Sequence, residues 1–174
     1  MFKTLGIIWL SLWLCACAAF VPSARNVRDR HWQSMSLQQD FQVDFHARGQ
    51  SVSFILLQQQ QAELLQLQAL SLTGQPLFLG EFDGSEIVVR QRLEAMRYLP
   101  LTFLLRDIML ATIHHYQPEN AQKVTVGDSE IITIDDDKVL RLTRTDKHIA
   151  VENLQAPYQM QLIPLKHSAG GDDE

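Results

Sequence analysis

The chain has 174 residues, with 15 Lys and Arg against 20 Asp and Glu, for a formal charge of −5 at neutral pH. That acidic balance, with no basic stripe and no aromatic-interleaved patch, excludes nucleic acid as a partner and electrostatic adhesion to anionic lipid. Eight glycines and six prolines are too few for a long disordered or repetitive region, and the length suits one domain with a sizeable core.

Met1-Phe2-Lys3 is a short positive start, and Leu5 to Phe20 is almost wholly apolar. The run falls short of the roughly 20 residues that a bilayer-crossing helix needs. A charged start, a short apolar middle and small residues after it form an export signal rather than a lasting anchor. Its end reads Leu14-Cys15-Ala16-Cys17, which resembles the lipobox of bacterial lipoproteins, with Cys15 as a departure from the usual type. The resemblance implies cleavage after residue 16 and attachment of fatty acyl chains to Cys17. Each buried methylene contributes about 0.8 kcal/mol, so two or three chains anchor stably where one does not. Ala18 resembles the residue that follows the cysteine in cargo sorted to the outer membrane, where an aspartate would suggest inner-membrane retention. The expected address is therefore the periplasmic face of the outer membrane, with the membrane itself as a partner through the N-terminal acyl chains. The alternative is a plain secretory signal with two incidental cysteines. Once Cys15 leaves with the signal, no thiol remains for a disulfide, so an oxidising compartment is compatible with the sequence but not used by it.

Four segments follow: a signal over 1–16, a lipidated tether over 17–33, a folded body over 34–166 and a solvated acidic tail over 167–174. In the body, Phe41, Val43 and Phe45 alternate with Gln42, Asp44 and His46, the period of a half-buried strand. After a turn at Gly49, Val52 to Leu57 reads as a second strand, apolar on both faces near Phe54. The Gln58–Gln61 run reads as an exposed loop. Leu64 to Leu72 places Leu65, Leu67 and Ala69 on one side, Gly74 breaks the chain, and Leu77 to Phe82 resumes it. Asp83-Gly84 signals a hairpin, and Ile87 to Val89 completes this set. Trp32 is expected against the first strand.

Pro100 to Tyr116 reads as a helix. Leu101, Leu104, Leu105, Ile108, Met109 and Ile113 recur at three- and four-residue spacing. Phe103, Leu110 and Ala111 fall largely outside that stripe, and Thr102, Arg106 and Asp107 leave only a narrow polar side. Pro100 suits the start, where a missing N–H costs nothing, and Pro118 ends the helix. Glu119 to Val126 reads as a polar link. Strands return over Glu130 to Ile134 and Val139 to Thr145, joined by an acidic turn at Asp135-Asp136-Asp137. Asp146-Lys147 turns the chain again, Ile149 and Val151 extend it, and Tyr158 to Leu165 closes the body. Strands, one apolar helix, then strands suit a mainly β fold of the α+β class: a strongly curved antiparallel half-open barrel with the helix as a lid on its concave side. Inward residues of such a sheet either line a cleft for an acyl chain or pack against one another.

Motifs for catalysis are missing. There is no Gly-x-Ser-x-Gly elbow and no phosphate-cradling loop, so no catalytic residue, cofactor or metal is expected. His114 and His115, adjacent on a helix, point about 100° apart and do not converge on one ion. His31, His46, His148 and His167 lack ligand spacing, and the Asp135–Asp137 turn lacks the loop of a calcium hand.

Leu70-Ser71-Leu72-Thr73-Gly74-Gln75-Pro76-Leu77-Phe78-Leu79, followed by Glu81-Phe82-Asp83-Gly84, resembles the middle of a family of proteobacterial lipoproteins similar to LolB, the outer-membrane lipoprotein receptor. Leu99-Pro100-Leu101 with Leu104-Leu105 resembles the start of that family's lid helix. The likeness spans Gln38 to Leu165. It implies a LolA/LolB-like half-barrel around a lipid-binding cavity. The cavity would be lined by Phe54, Leu65, Leu67, Phe78, Phe82, Leu101, Leu104, Leu105, Ile108 and Met109. Members beside aryl-polyene synthases suggest an acyl or polyene lipid as ligand and an envelope transport protein as a further partner. In the receptor, a leucine just before the matching glycine projects from a loop facing membrane and cargo. That loop is Leu72, Thr73 and Gly74 here, and threonine at the projecting place argues against lipoprotein insertion. The expectation is a monomeric, non-enzymatic carrier or acceptor of a hydrophobic ligand. The alternative is an assembly lipoprotein with a filled core that binds an envelope protein; a hydrolase has no motif behind it.

Overall fold

The computed structural model describes Trp32, residues 37–97, 99–113, Tyr116 and residues 118–166. The expected signal, Cys17, the rest of the tether apart from Trp32, the acidic tail and His114, His115 and His167 lie outside the described residues, as does His31. Ten antiparallel strands account for most of the described chain: β1 (Gln38–Ala47), β2 (Gln50–Gln61), β3 (Leu64–Ser71), β4 (Pro76–Phe82), β5 (Ile87–Arg92), β6 (Ala121–Val126), β7 (Ser129–Ile134), β8 (Asp137–Arg144), β9 (Ile149–Asn153) and β10 (Tyr158–Pro164). Between β5 and β6 come a 3-10 turn (Glu94–Met96) and the helix α1 (Leu101–Thr112). The strands form one sheet in the order β5-β4-β3-β2-β1-β10-β9-β8-β7-β6. The first and last strands therefore pair at its centre, and β5 and β6 are its edges. The sheet is not closed, so the fold is a mainly β half-barrel with a single α-helix among the described residues.

Alternation fixes which face turns inward. Phe41, Val43 and Phe45 on β1 stand opposite Leu56, Phe54 and Val52 on β2, and Val43 and Phe45 also oppose Leu162 and Met160 on β10. Leu65, Leu67 and Ala69 on β3 oppose Phe82, Gly80 and Phe78 on β4. Apart from the half-buried Val52, these residues are all buried, and α1 lies across the face they make. Two hairpins turn on paired left-handed residues, Arg48-Gly49 (φ 50° and 75°) and Asp135-Asp136 (φ 50° and 68°). Both positions must take positive φ for a two-residue turn to match the strand twist, and aspartate tolerates that conformation better than most side chains. The acidic turn is thus Asp135-Asp136, and Asp137 already belongs to β8.

Several expectations are corrected. The glutamine run is not a loop but the end of β2, laddered to β1 and β3. Gln58 and Gln60 face inward and are buried, because backbone pairing on both flanks continues the strand whatever the side-chain polarity. Residues 121–126 are not a link but the edge strand β6, held by its ladder to β7. Its side chains are mostly exposed, so no alternation marks it. The helix is shorter than Pro100 to Tyr116. Pro100 is its cap, its carbonyl accepting the Leu104 N–H at 3.0 Å, and at Ile113 the chain turns extended. Leaving the helix there lets Ile113 and Tyr116 both reach the core. Trp32 stands not against β1 but over the β4–β5 hairpin. Its ring meets Phe82 at 4.9 Å and Tyr116 at 5.6 Å, and its indole N–H donates to the Glu63 carbonyl at 2.7 Å. Gly84, at φ 95°, makes room for it, since a β-carbon there would come within 2.8 Å of Trp32.

Candidate ligand-binding interior

Ten side chains are expected to line a cavity, and the structure brings all ten together. Phe54, Leu65, Leu67, Phe78 and Phe82 from the sheet and Leu101, Leu104, Leu105, Ile108 and Met109 from α1 are buried in one hydrophobic cluster. Phe54 and Phe78 meet edge-on at 5.7 Å. The helix packs tightly on β4 through Leu105, whose Cδ1 would lie 2.4 Å from a β-carbon at Gly80. In this arrangement the ten side chains pack against one another. Burying each large aliphatic or aromatic group contributes roughly 1.5–3 kcal/mol, so the interface of α1 with the sheet is a main source of stability. A cavity of about 720 Å³ that opens on described residues is walled by polar residues such as His46, Gln50, Arg141 and Glu152 beside the β1–β2 turn. One of about 400 Å³ lies between Phe41, Thr112, Ile149 and Leu165, and Phe78 helps line a third of about 200 Å³.

Eleven of the twelve helix residues are buried, Arg106 and Asp107 among them. The expected polar side of α1 is corrected accordingly: only Thr102 is exposed. Arg106 Nε donates to Asp107 Oδ1 at 2.8 Å, and Nη2 lies 2.8 Å from the same oxygen. Asp107 Oδ2 accepts from Asn153 Nδ2 at 2.5 Å and from the Tyr158 hydroxyl. Asn153 Oδ1 in turn accepts the N–H groups of Gln155 and Ala156, which ties the β9–β10 turn to the helix. Burial pushes the Asp107 carboxyl above its ordinary range, against the opposing pull of the Arg106 charge and of the Tyr158 and Asn153 hydrogen bonds. Burial and the neighbouring carboxylate push Tyr158 upward as well, so its hydroxyl stays a proton donor. Nearer the helix end, Thr112 Oγ1 sits 2.8 Å from the Ile108 carbonyl and 3.0 Å from Gln58 Oε1.

Sequence reasoning missed this polar set. Its signal was the apolar residues outside the main stripe: with Phe103, Leu110 and Ala111 needing cover, neighbouring Arg106 and Asp107 had to be covered too, and a buried charge needs a partner. Asn153 and Tyr158 carry no such signal, because their pairing with Asp107 joins residues 46 and 51 positions apart.

The loop Leu72, Thr73 and Gly74 stands apart from the interior, at the exposed tip of the β3–β4 hairpin. Leu72 is 63 % exposed. Ser71 braces the tip: its hydroxyl lies 2.9 Å from Thr73 Oγ1 and accepts the Gln75 N–H, while its carbonyl accepts the Gly74 N–H. Among the described residues no three His, Cys, Asp or Glu side chains stand where they could hold a metal ion, and no helix is long and apolar enough to cross a membrane.

A comparison with curated proteins finds no match. A family model described as a protein of unknown function, DUF3261, matches residues 36–166, the whole of the ten-stranded sheet and its helix. The chain belongs to the DUF3261 family.

Proposed function

We propose that the protein is a lipid-anchored lipoprotein of the outer membrane's periplasmic face, whose half-barrel takes up one acyl or polyene chain as α1 withdraws from the sheet. The observation that carries this reading is α1 itself: an almost wholly buried apolar helix standing inside a sheet that stays open between β5 and β6. No backbone ladder ties α1 to the strands. Beyond the hydrogen bonds of Asp107 and Thr112, its hold is apolar side-chain packing, which an acyl chain of similar apolar surface can replace. The likeness of residues 70–84 and 99–105 to the LolB-like lipoproteins supports the same reading, and Leu14 to Cys17 supports the anchor. Thr73 at the projecting place of the hairpin argues for lipid uptake without lipoprotein insertion.

The test is extraction of the purified protein with organic solvent followed by mass spectrometry, together with uptake of a fluorescent fatty acid. A stoichiometric co-purified lipid and saturable uptake are the expected results. Absence of both overturns the binding reading. For the anchor, Cys17→Ser should move the protein from the membrane fraction to the soluble periplasm.

The close packing of the ten interior residues favours a second reading, an assembly lipoprotein with a permanently filled core that binds an envelope protein. Crosslinking in cells would then give one dominant protein partner, and no lipid would be recovered.

A further inference from the structure

Arg106 is 1 % exposed, and its guanidinium is only half used. The edge formed by Nε and Nη2 faces Asp107 Oδ1. The end of the fork is unpartnered: neither Nη1 nor Nη2 has a hydrogen-bond acceptor among the described residues, and Nη2 keeps only its ion-pair contact with Asp107. Nor is there a spare acceptor nearby in the cluster, since Asp107 Oδ2 is taken by Asn153 and Tyr158, and Asn153 Oδ1 by two backbone N–H groups. The Phe103 ring centroid lies 5.0 Å from the Arg106 Cζ, and Phe103 and Leu110, three residues before and four after, share its side of the helix and are buried.

Resting on the reading of the interior as a binding site, we propose that the open end of Arg106 receives the head of the ligand, which is an acyl chain ending in a carboxylate. A guanidinium fork matches a two-oxygen anion with two parallel N–H···O bonds. An ammonium would serve as well for a point charge, but arginine is the weakly hydrated cation suited to a dry site. Charge bookkeeping limits the ligand to a monoanion. The cluster already sets one carboxyl beside its one cation, so each negative charge brought in adds to the load on Arg106. A carboxylate brings a single charge, whereas a phosphate monoester brings nearly two into the same low-dielectric space.

The experiment compares dodecanoate, dodecan-1-ol and dodecyl phosphate as ligands for the full-length protein, by calorimetric titration at pH 7. Dodecanoate is expected to bind at least roughly tenfold tighter than the alcohol, the range for a hydrogen bond to a charged group, and tighter than the phosphate. Equal binding of acid and alcohol overturns the role of Arg106 and leaves hydrophobic binding standing. A preference for the phosphate overturns the carboxylate assignment. Failure of all three to bind overturns the binding reading and this inference with it. In Arg106→Gln, folded by far-UV circular dichroism, the acid should lose its advantage; a retained advantage overturns the proposal. Should Arg106→Gln fail to fold, Arg106→Lys decides. It keeps the charge but loses the fork, so the advantage should shrink, and an unchanged advantage overturns the proposal.

Discussion

Arg106 and Asp107 are neighbours in sequence and pair at 2.8 Å, although adjacent helix residues point about 100° apart. That pairing holds a guanidinium and a carboxyl out of water on a helix otherwise packed with leucine, isoleucine and methionine. Such a pair contributes little net stability, but removal of one partner strands the other. Asp107→Ala is therefore expected to cost on the order of 3 kcal/mol, since it leaves Arg106, Asn153 and Tyr158 without their shared acceptor. The deficit should also depend on pH. Because burial raises the Asp107 pKa above 3.8, the native state binds its proton more tightly than the unfolded chain does. The stability from this group is complete below the unfolded value and is lost as pH rises through the folded one. The gap between wild type and Asp107→Ala should narrow with rising pH in denaturant titrations; a gap that widens would contradict the assignment. What was legible here in the sequence was the helix and its stripe. The fate of its two charges was not, because their partners Asn153 and Tyr158 arrive through the β9–β10 turn.

Elements with strict alternation declare themselves: β1, β3 and β10 each bury every second side chain, and their faces follow from period two alone. Elements that owe their form to a neighbour do not. β6 buries little beyond part of Ala121 and is a strand because β7 offers a ladder. The glutamines of β2 look solvated but lie between two strands, with Gln58 meeting Thr112 of α1. Helix and sheet come together over Gly80, beside an irregularity in the β4–β5 ladder. A methyl group there would sit 2.4 Å from Leu105 Cδ1, so Leu105 must change rotamer or α1 must lift. Gly80→Ala should lower stability by about 1–3 kcal/mol, the usual cost of overpacking, read from the midpoint of chemical denaturation. If ligand entry needs α1 to move outward, the same variant should bind dodecanoate more tightly than its loss of stability suggests, and unchanged or weaker binding would speak against that motion.

The whole molecule is two meanders, β1 to β5 and β10 back to β6, joined side by side at the β1–β10 ladder. No local pattern announces that junction, since its partners, such as Phe45 and Met160, lie more than a hundred residues apart. Such distant pairing is slow to form. It also brings the ends of the described body together, with the Leu165 N–H donating to the Asp40 carbonyl at 2.8 Å. A circular permutant joining Lys166 to Leu37 through a short glycine-serine linker, and opened between the exposed residues Gly127 and Asp128, should therefore fold. Far-UV circular dichroism and a cooperative thermal transition like the parent's would bear this out; a broad, non-cooperative melt would count against it. The same topology decides how the protein bears force. Tension transmitted along the chain ahead of Leu37 pulls lengthwise on β1, which is bonded on both flanks. Its ladders with β2 and β10 would then be loaded together in shear, instead of being peeled apart one bond at a time as at an edge strand.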